Sequence, residues 1–375
     1  MRLVYLSPVP WASFAQRPQK FVRWFHERTG GDVLWLEPYP SRFPCLSDFR
    51  KIGVSDKTES NLGESWLRVL KPHALPIEPL PGSGLINKQL YWSGLLKSVA
   101  DFARDQEVLV VIGKPTTLAL QVMRLLKDHP SVYDAMDDFP TFFSGMSRAS
   151  MARRELQIGS SAHAVLASST KLRKKWELHN LNVSFVPNGL DAALLPPART
   201  IPVSSGPKTF GYLGTVGAWF DWQWMIQLAK ACPQDTVHIV GPVFAPCNEK
   251  LPENLKLSPP CSHKDALQAM LTFDVAVIPF LKNDLTSSVD PIKYYEYRAL
   301  GLPIISTSFG EMAYRGEQDG VFLCDDPQQL DLAINKTMNH CASAEVITHF
   351  KNENDWHARF DASVISSLYA PQKSL

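Results

Sequence analysis

Two groups of charged side chains in this sequence have a spacing that could serve chemistry. In the first group, Asp134, Asp137 and Asp138 place three carboxylates within five residues. Carboxylates this close repel one another, so one of them can keep a raised pKa and act as a general base. Asp138 precedes Phe-Pro and could equally cap a turn. The cluster is therefore a candidate catalytic site, with Asp137 and Asp138 as the candidate residues.

The second group is Lys293 and Glu296, which lie three residues apart and share one face of a predicted helix. A lysine in the first turn opposes the helix dipole, and this placement becomes favourable when an anion binds there. Free backbone N–H groups and the lysine would hold a phosphate, and Glu296 could accept hydrogen bonds from sugar hydroxyls. We therefore expect a nucleotide diphosphate and its ribose at this helix. An ordinary helix with a solvated lysine and glutamate is the alternative.

The residues around Lys293 predict a polar loop, a helix and a buried strand. Asp290 can cap the helix, and Pro291 suits its first turn. Gly301 can end the helix, and Pro303 prevents its continuation. Ile304 then opens an apolar run.

Strands and helices alternate along the whole chain, which favours α/β architecture with parallel sheets. Open α/β sheets bind ligands at the carboxyl ends of their strands. Ser7 ends the first predicted strand, 2–7, and Trp11 and Arg17 lie in the segment that follows it. Arg17 could bind a phosphate or carboxylate of the acceptor, or it could form a structural salt bridge.

The second half of the chain opens in the same way as the first. The predicted strand 209–213 ends at Gly214 and Thr215, where small residues let a ligand approach the backbone closely. The next predicted strand ends at Gly241. Ser262 begins a predicted capping box, Ser-His-Lys-Asp, at the start of a helix.

With 375 residues the chain is long enough for two domains with full cores. We predict a Rossmann-like domain over 1–195, a second over 208–345, and a C-terminal helix over 346–375 that packs back toward the first. The segment 194–207 is rich in proline and serine and is predicted to be the linker. The carboxyl ends of both sheets are expected to face a cleft.

Charge, cysteine content and hydropathy narrow the class of protein. Residues 1–200 hold 25 Lys and Arg against 18 Asp and Glu, so the first half is mildly basic. This charge suits an anionic partner such as a lipid headgroup or a phosphate, although scattered surface charge is an equal alternative; nucleic acid is not expected. The six cysteines form no C-x-x-C pair, so no zinc or redox site is expected. With no membrane-spanning stretch, we expect a cytoplasmic protein, with peripheral membrane contact through Trp11 or Phe14 as a further hypothesis.

The order of these motifs resembles the GT-B glycosyltransferases, specifically the family 4-like group related to the xanthan glucuronosyltransferase. The match is carried above all by 291–303, Pro-Ile-Lys-Tyr-Tyr-Glu-Tyr-Arg-Ala-Leu-Gly-Leu-Pro. Further matching segments lie at 16–19, 132–138, 186–189, 212–221, 240–242 and 274–280. Each motif alone is weak, but their shared order is specific and covers nearly the whole chain.

The resemblance implies an enzyme that transfers a sugar from a nucleotide sugar, most simply a UDP-sugar, to a saccharide or lipid-linked acceptor. By similarity, the donor would be held by Gly214, Thr215, Gly241, Ser262, Ser288, Asp290, Pro291, Lys293 and Glu296. Asp137 falls near the position where relatives carry a catalytic His or Asp. The resemblance also implies that no metal or other cofactor is needed, because the positive helix end stabilises the diphosphate.

The sequence departs from the family pattern at one position. Family 4 enzymes often carry two glutamates eight positions apart, and the position eight before Glu296 is Ser288. This leaves the donor sugar and retaining chemistry open. A nucleotide-sugar epimerase of the same fold and a catalytically inactive scaffold are the alternative functions.

Overall fold

The computed structural model describes residues 1–41, 64–200 and 206–369. The chain forms two compact units, one from Met1–Val186 together with the chain from Phe360 onward, and one from Pro187–Arg359. Cys45 and the last six residues of the predicted C-terminal helix lie outside the described residues.

The chain leaves the first unit earlier than the predicted linker 194–207 suggested. Arg199, inside that segment, donates from Nη2 to Asp274 Oδ1 (3.1 Å), and its backbone N–H donates to the Leu300 carbonyl (2.9 Å). These contacts hold the described part of the segment to the second unit. Residues 201–205 of the predicted linker are not among those described.

The first unit contains a seven-stranded parallel sheet with strand order β3-β2-β1-β4-β5-β6-β7. Its strands are β1 (Arg2–Leu6), β2 (Val33–Leu36), β3 (Leu67–Leu70), β4 (Val108–Ile112), β5 (Ser131–Ala135), β6 (Ala164–Ala167) and β7 (Val183–Phe185). Its helices before the second unit are α1 (Arg17–Thr29), α2 (Ser83–Asn87), α3 (Ser93–Ala103), α4 (Thr117–Leu125), α5 (Gly145–Ser161) and α6 (Thr170–Glu177), with a 3₁₀ turn at Phe139–Phe142. The continuous apolar runs of β4 and β6 are fully buried, as expected of central parallel strands.

Local signals set the ends of the first helix. Pro18 occupies its first turn, where its missing N–H costs nothing. Gly30 ends it in the left-handed conformation, with φ of 64°, which glycine adopts without strain. Proline at the start and glycine at the end therefore delimit α1.

The helical segment from Ser83 to Ala103 contains a π turn. α2 and α3 are joined without a break by π-helical residues Lys88–Trp92. The turn places Asn87 and Trp92, five residues apart, on the same buried side. The Asn87 side chain pairs with both backbone groups of Leu75, and the Trp92 indole N–H donates to the His73 carbonyl (2.8 Å).

The second unit contains a six-stranded parallel sheet with strand order β10-β9-β8-β11-β12-β13. Its strands are β8 (Thr209–Leu213), β9 (Thr236–Val240), β10 (Leu255–Ser258), β11 (Val275–Ile278), β12 (Ile304–Ser306) and β13 (Val321–Leu323). Its helices are α7 (Trp222–Ala231), α8 (His263–Leu271), α9 (Ile292–Ala299), α10 (Leu330–Met338) and α11 (Ala344–Asn354). Short 3₁₀ turns lie at Ala192–Leu194, Gly310–Tyr314, Glu317–Asp319 and Pro327–Gln329.

The C-terminal segment is not one helix. After α11 come α12 (Trp356–Asp361) and α13 (Ile365–Tyr369). In the first unit, Phe360 packs edge-on against Phe21 of α1 (ring centroids 5.1 Å apart), and Asp361 accepts a hydrogen bond from the Trp24 indole (2.8 Å). The chain beyond Arg359 thus contributes to the first unit's core.

Two helical glycines give a matched test of the packing. A β-carbon at Gly159 would overlap the fully buried Trp176 indole, whereas one at Gly94 would meet nothing within 4 Å. We expect Gly159→Ala to lower the free energy of unfolding by about 1–3 kcal/mol. Gly94→Ala should raise it by about 0.5–1 kcal/mol, because alanine favours helix. Urea unfolding of both variants measures the difference, and equal effects would contradict this packing.

Candidate functional site

The acidic cluster lies at the carboxyl end of β5, near the centre of the first sheet. Asp134 is part of the strand and fully buried, whereas Asp137 and Asp138 follow it at the start of a loop. The three carboxylates have different environments, and these environments decide which of them can exchange a proton.

Asp134 is neutralised by Arg17 of α1. The guanidinium approaches Asp134 Oδ1 with Nε at 2.9 Å and Nη2 at 2.8 Å, and both side chains are almost completely buried. Arg17 Nη1 also donates to the Val186 carbonyl (2.7 Å), and the Tyr5 hydroxyl donates to Asp134 Oδ2 (3.3 Å). The structure therefore gives Arg17 the structural salt bridge that the sequence left as the alternative to phosphate binding.

Asp138 is neutralised by Lys175 of α6. Lys175 Nζ donates to Asp138 Oδ1 (2.8 Å) and to Glu155 Oε2 (2.7 Å), and the Tyr133 hydroxyl donates to Glu155 Oε1 (2.9 Å). Asp138 begins the 3₁₀ turn that follows it, but its side chain makes no capping hydrogen bond. Its carboxylate is used in an ion pair rather than in the turn.

Asp137 is the member of the cluster that has no hydrogen bond or ion pair among the described residues. The residue as a whole is partly exposed to solvent. Burial, opposed by Arg17 and reinforced by Asp134 and Asp138, raises the pKa of Asp137 from 3.8 to about 7. A carboxyl with this pKa can accept or release a proton near neutral pH.

Ser7 and Trp11, the other two predicted acceptor residues, are buried in the first unit. The Ser7 hydroxyl donates to the Val9 carbonyl (2.7 Å) and accepts from the Val9 N–H, so it stabilises the loop after β1. The Trp11 indole packs edge-on against Trp35 and Trp66 and is 6% exposed. Both residues hold the loop in place.

In the second unit, the glycine loops after β8 and β9 meet the first turn of α9. A β-carbon at Gly241 would overlap the Gly214 carbonyl, and one at Gly214 would lie 3.4 Å from Lys293 Cε. Gly214 has φ of 151° and Gly241 has φ of 140°, conformations that favour glycine. The structure therefore brings together three residues that the sequence assigned to donor binding.

Lys293 and Glu296 form an ion pair across the first turns of α9. Lys293 Nζ lies 2.9 Å from Glu296 Oε2, and the side chains are 23% and 12% exposed. Two tyrosines fix the neighbouring loop: the Leu213 N–H donates to the Tyr297 hydroxyl (2.8 Å), and the Tyr212 hydroxyl donates to the Thr215 carbonyl (2.9 Å). These hydrogen bonds fix the glycine loop beside α9, the helix that carries Lys293.

Asp290 does not cap α9, contrary to the prediction. Pro291 occupies the N-cap position, without a side-chain capping bond. The Asp290 carboxylate is instead buried, and it accepts hydrogen bonds from the Asn188 N–H (2.7 Å), the Tyr295 hydroxyl (2.8 Å) and Arg315 Nη2 (2.6 Å). These internal partners explain why the side chain does not turn toward the helix end.

The other predicted donor residues differ in accessibility. Ser288 is 2% exposed, whereas Thr215 is partly exposed and Ser262 is exposed. Ser262 caps α8 by accepting from the Asp265 N–H (3.2 Å), which confirms the predicted cap. It lies just beyond β10, at the same edge of the parallel sheet as the two glycine loops.

Two residues that position the candidate sites were missed from the sequence. Lys175 belongs to the basic run Arg173-Lys174-Lys175, and it lies three residues after the buried Leu172, on the same side of α6. Tyr297 lies four residues after Lys293 and therefore faces the same glycine loop. Helical periodicity is the signal that could have identified both.

Two further observations on the described residues concern metal binding and membrane spanning. Within 1–41, 64–200 and 206–369, no group of three or more His, Cys, Asp and Glu side chains is arranged to hold a metal ion. No helix in the same ranges is both long and apolar enough to cross a membrane.

No family model matches the chain. A curated relative, a putative teichuronic acid biosynthesis glycosyltransferase TuaH of Bacillus subtilis (strain 168), is 25% identical over 198 residues. The aligned region is 47% of this chain and 50% of that relative. The chain therefore spans about half the length of the curated relative it matches.

Solved structures match the chain over almost its full length. The lipopolysaccharide outer core galactosyltransferase WaaB, in its apo form, has a TM-score of 0.64 and 11% identity, covering 98% of this chain and 100% of that chain. A trehalose-6-phosphate protein of E. coli bound with UDP-2-fluoro glucose has a TM-score of 0.63 and 12% identity, covering 98% and 99%. With two Rossmann-like units, each built on a parallel sheet, the chain has the GT-B fold, which confirms the predicted fold class.

The raised pKa of Asp137 predicts a pH-dependent stability. The folded state binds the Asp137 proton more tightly than the unfolded chain, so the free energy of unfolding falls as pH rises from about 4 to 7. A shift of this size corresponds to at most about 4 kcal/mol. We expect Asp137→Asn to match the wild type near pH 4 and to be more stable at pH 8, measured by urea unfolding.

Asp138→Asn is the matched control. It removes the acceptor of the Lys175 ion pair, so we expect it to be less stable than the wild type by about 2 kcal/mol at pH 8. An Asp137→Asn protein that is also less stable than the wild type at pH 8 would contradict the assignment of the raised pKa.

Proposed function

We propose that the chain is a glycosyltransferase that moves a sugar from a UDP-sugar to a saccharide or lipid-linked acceptor in polysaccharide or glycolipid biosynthesis. The observation that carries the proposal is the meeting of Gly214, Gly241 and Lys293 at the carboxyl edge of the second sheet. Glycine backbone without side chains, the N-terminus of a helix and a lysine side chain can together bind a diphosphate. The similarity to a putative teichuronic acid biosynthesis glycosyltransferase supports the choice of substrate class.

When the donor binds, Lys293 exchanges its ion-pair partner Glu296 for the diphosphate. Lys293 pairs with Glu296 in this structure. A diphosphate approaching Gly214 takes Lys293 as its counter-cation, and Glu296 becomes free to accept hydrogen bonds from the ribose hydroxyls. The lysine and the first N–H groups of α9 neutralise the leaving diphosphate, so the transfer that we propose requires no metal ion.

Asp137 is the general base of the proposed reaction. Arg17 forms an ion pair with Asp134 and Lys175 forms one with Asp138, whereas burial raises the pKa of Asp137 to about 7. A base of this kind removes the proton from the acceptor hydroxyl as that oxygen attacks the anomeric carbon, while the UDP oxygen leaves with the bonding electrons. We propose that this chemistry is inverting and that the chain is a relative of the family 4-like group that includes the xanthan glucuronosyltransferase.

Two rival functions share the fold. An epimerase would need additional carboxylates and a histidine in the donor site, and an inactive scaffold would not need a base of neutral pKa. The assembled Lys293–Glu296 pair and the isolated Asp137 favour the transferase.

A thermal-shift panel with UDP, GDP, ADP, CMP and their sugar conjugates tests the donor site. A ligand that binds only the folded state stabilises it, by about 2.7 kcal/mol at one hundred times its dissociation constant. We expect UDP to raise the melting temperature. Lys293→Ala should weaken binding by about thirtyfold or more, and Glu296→Ala by about tenfold or more, because each variant loses hydrogen bonds made by a charged group.

Lys282→Ala is the control, because Lys282 pairs with Asp325 on an exposed surface. Asp137→Asn should bind UDP normally and yet release no UDP from a UDP-sugar in the presence of acceptor. A panel in which no nucleotide shifts the wild type would overturn the donor site. Undiminished turnover in Asp137→Asn would remove that residue from catalysis.

We also propose that the protein acts at the cytoplasmic face of a membrane. Trp11 is buried and cannot anchor it, but the α2–α3 segment exposes Leu85 (69%), Ile86 (43%) and Leu90 (61%) beside Lys88 and Lys97. Exposed apolar side chains next to lysines suit an anionic bilayer surface.

Flotation with vesicles of phosphatidylcholine and phosphatidylglycerol tests the membrane contact. We expect the wild type to bind to the vesicles. The double variant Leu85→Ser, Leu90→Ser should bind about tenfold more weakly, because it loses two apolar side chains that would be buried in the bilayer. Leu181→Ser is the control, because Leu181 is fully exposed elsewhere in the first unit. Equal binding of the two variants, or no binding by the wild type, would contradict the proposal.

A further inference from the structure

The loop after β9 is hydrogen-bonded to the glycine loop that follows β8. The Val216 N–H donates to the Pro242 carbonyl (2.9 Å). The Val216 carbonyl accepts from the N–H groups of Phe244 (2.9 Å) and Ala245 (3.2 Å). These bonds place Phe244 beside the backbone that begins the proposed donor site at Gly214, two residues before Val216.

Phe244 presents an apolar ring to solvent from this fixed position. The residue is 78% exposed. The Trp222 indole N–H donates to the Ala245 carbonyl (2.8 Å), which fixes the same segment to the start of α7. An aromatic ring on a backbone that is already ordered can bind a partner with little further loss of conformational entropy.

Trp219 lies on the same glycine loop. A β-carbon at Gly217 would lie 2.6 Å from atoms of the Trp219 indole, so the ring packs directly on the loop backbone. The residue is partly exposed, and its carbonyl accepts from the Leu281 N–H (2.7 Å) just after β11. Trp219 is thus at the carboxyl ends of β8 and β11, the neighbouring strands at which the strand order reverses. Open α/β sheets bind ligands in the crevice at this point.

The helices α7 and α9 lie on opposite faces of the second sheet. α7 connects β8 to β9 and α9 connects β11 to β12, so the two connections run in opposite directions across the sheet. Right-handed crossovers then place the two helices on opposite faces. Lys293 and Glu296 belong to α9, whereas Trp219 and Phe244 lie near the start of α7. A diphosphate at the glycine loop would therefore have a charged side toward α9 and an apolar side toward α7.

We propose that Trp219 and Phe244 form the surface on which the hexose ring of the donor packs. In the proposed function, on which this assignment rests, Glu296 holds the ribose on the α9 side of the diphosphate, so the α7 side remains for the transferred sugar. A pyranose whose hydroxyls are equatorial, such as glucose, carries C–H groups on both faces of its ring, and these apolar faces pack against aromatic rings. The class of donor that fits is a UDP-hexose of this configuration.

Calorimetric titration of the full chain with UDP, and separately with UDP-glucose, tests the proposal. We expect Phe244→Ala to bind UDP with the affinity of the wild type and UDP-glucose about fivefold more weakly, because only the hexose loses its aromatic contact. Phe244→Tyr keeps the ring and should bind both ligands as the wild type does. Leu332→Ala is the control, because Leu332 is 59% exposed on α10, and it should leave both affinities unchanged.

Trp219→Leu and Trp219→Phe test the second ring. We expect Trp219→Leu to bind UDP-glucose about fivefold more weakly than the wild type, with a smaller change in its affinity for UDP. Trp219→Phe keeps an aromatic ring and should recover most of the affinity for UDP-glucose. An affinity for UDP-glucose that stays unchanged in Trp219→Leu would contradict the part assigned to this residue.

The possible outcomes distinguish a failure of this surface from a failure of the donor site. A wild type that binds neither ligand would overturn the proposed donor site, and the hexose surface with it. If the wild type binds both ligands and Phe244→Ala binds UDP-glucose equally well, the hexose surface alone is overturned. An equal loss of affinity for UDP and UDP-glucose in Phe244→Ala would place the ring against the nucleoside and would likewise overturn it.

Discussion

The buried ion pair between Arg17 and Asp134 is the interaction on which the first unit depends. It joins the start of α1 to the central strand β5, and the same guanidinium holds the Val186 carbonyl at the end of the unit. A buried charge that loses its partner costs several kcal/mol, so neither residue can be replaced alone without a large loss of stability. Burial raises the pKa of Asp137 to about 7, and the neighbouring Asp134 carboxylate adds to this rise while Arg17 opposes it.

In the second unit, the close approach of backbone segments determines the arrangement of the candidate site more than charge pairing does. Gly214 and Gly241 touch through their main chains, and Lys293 lies against them because no side chain intervenes. Asp290 stands close by in sequence, yet Asn188, Tyr295 and Arg315 use its carboxylate. The charges that remain for a ligand are thus those of Lys293 and Glu296, while the neighbouring acid maintains the fold.

The fold could be predicted because its strands are continuous apolar runs and its helix ends carry glycine and proline. Gly301, for example, adopts φ of 75° just after α9, as its position predicts. The sites were less predictable, because partners far apart in sequence decide what each charge does. Local spacing identifies Asp137 and Asp138 as a cluster, but not the pairing of Asp138 with Lys175. Likewise, an aspartate before a proline suggests a cap at Asp290, and only tertiary contacts show a buried acceptor.

The π turn at Lys88–Trp92 has a consequence for how this chain can change over generations. It amounts to one extra residue within the helix from Ser83 to Ala103, since the buried Asn87 and Trp92 are five positions apart rather than four. A one-codon deletion within 88–91 restores ordinary α-helical spacing and leaves the inward-facing side chains on the same side. Homologous chains can therefore differ in length by one residue here while keeping the same core, whereas the same deletion after Trp92 would rotate Leu96 and Val99 out of it.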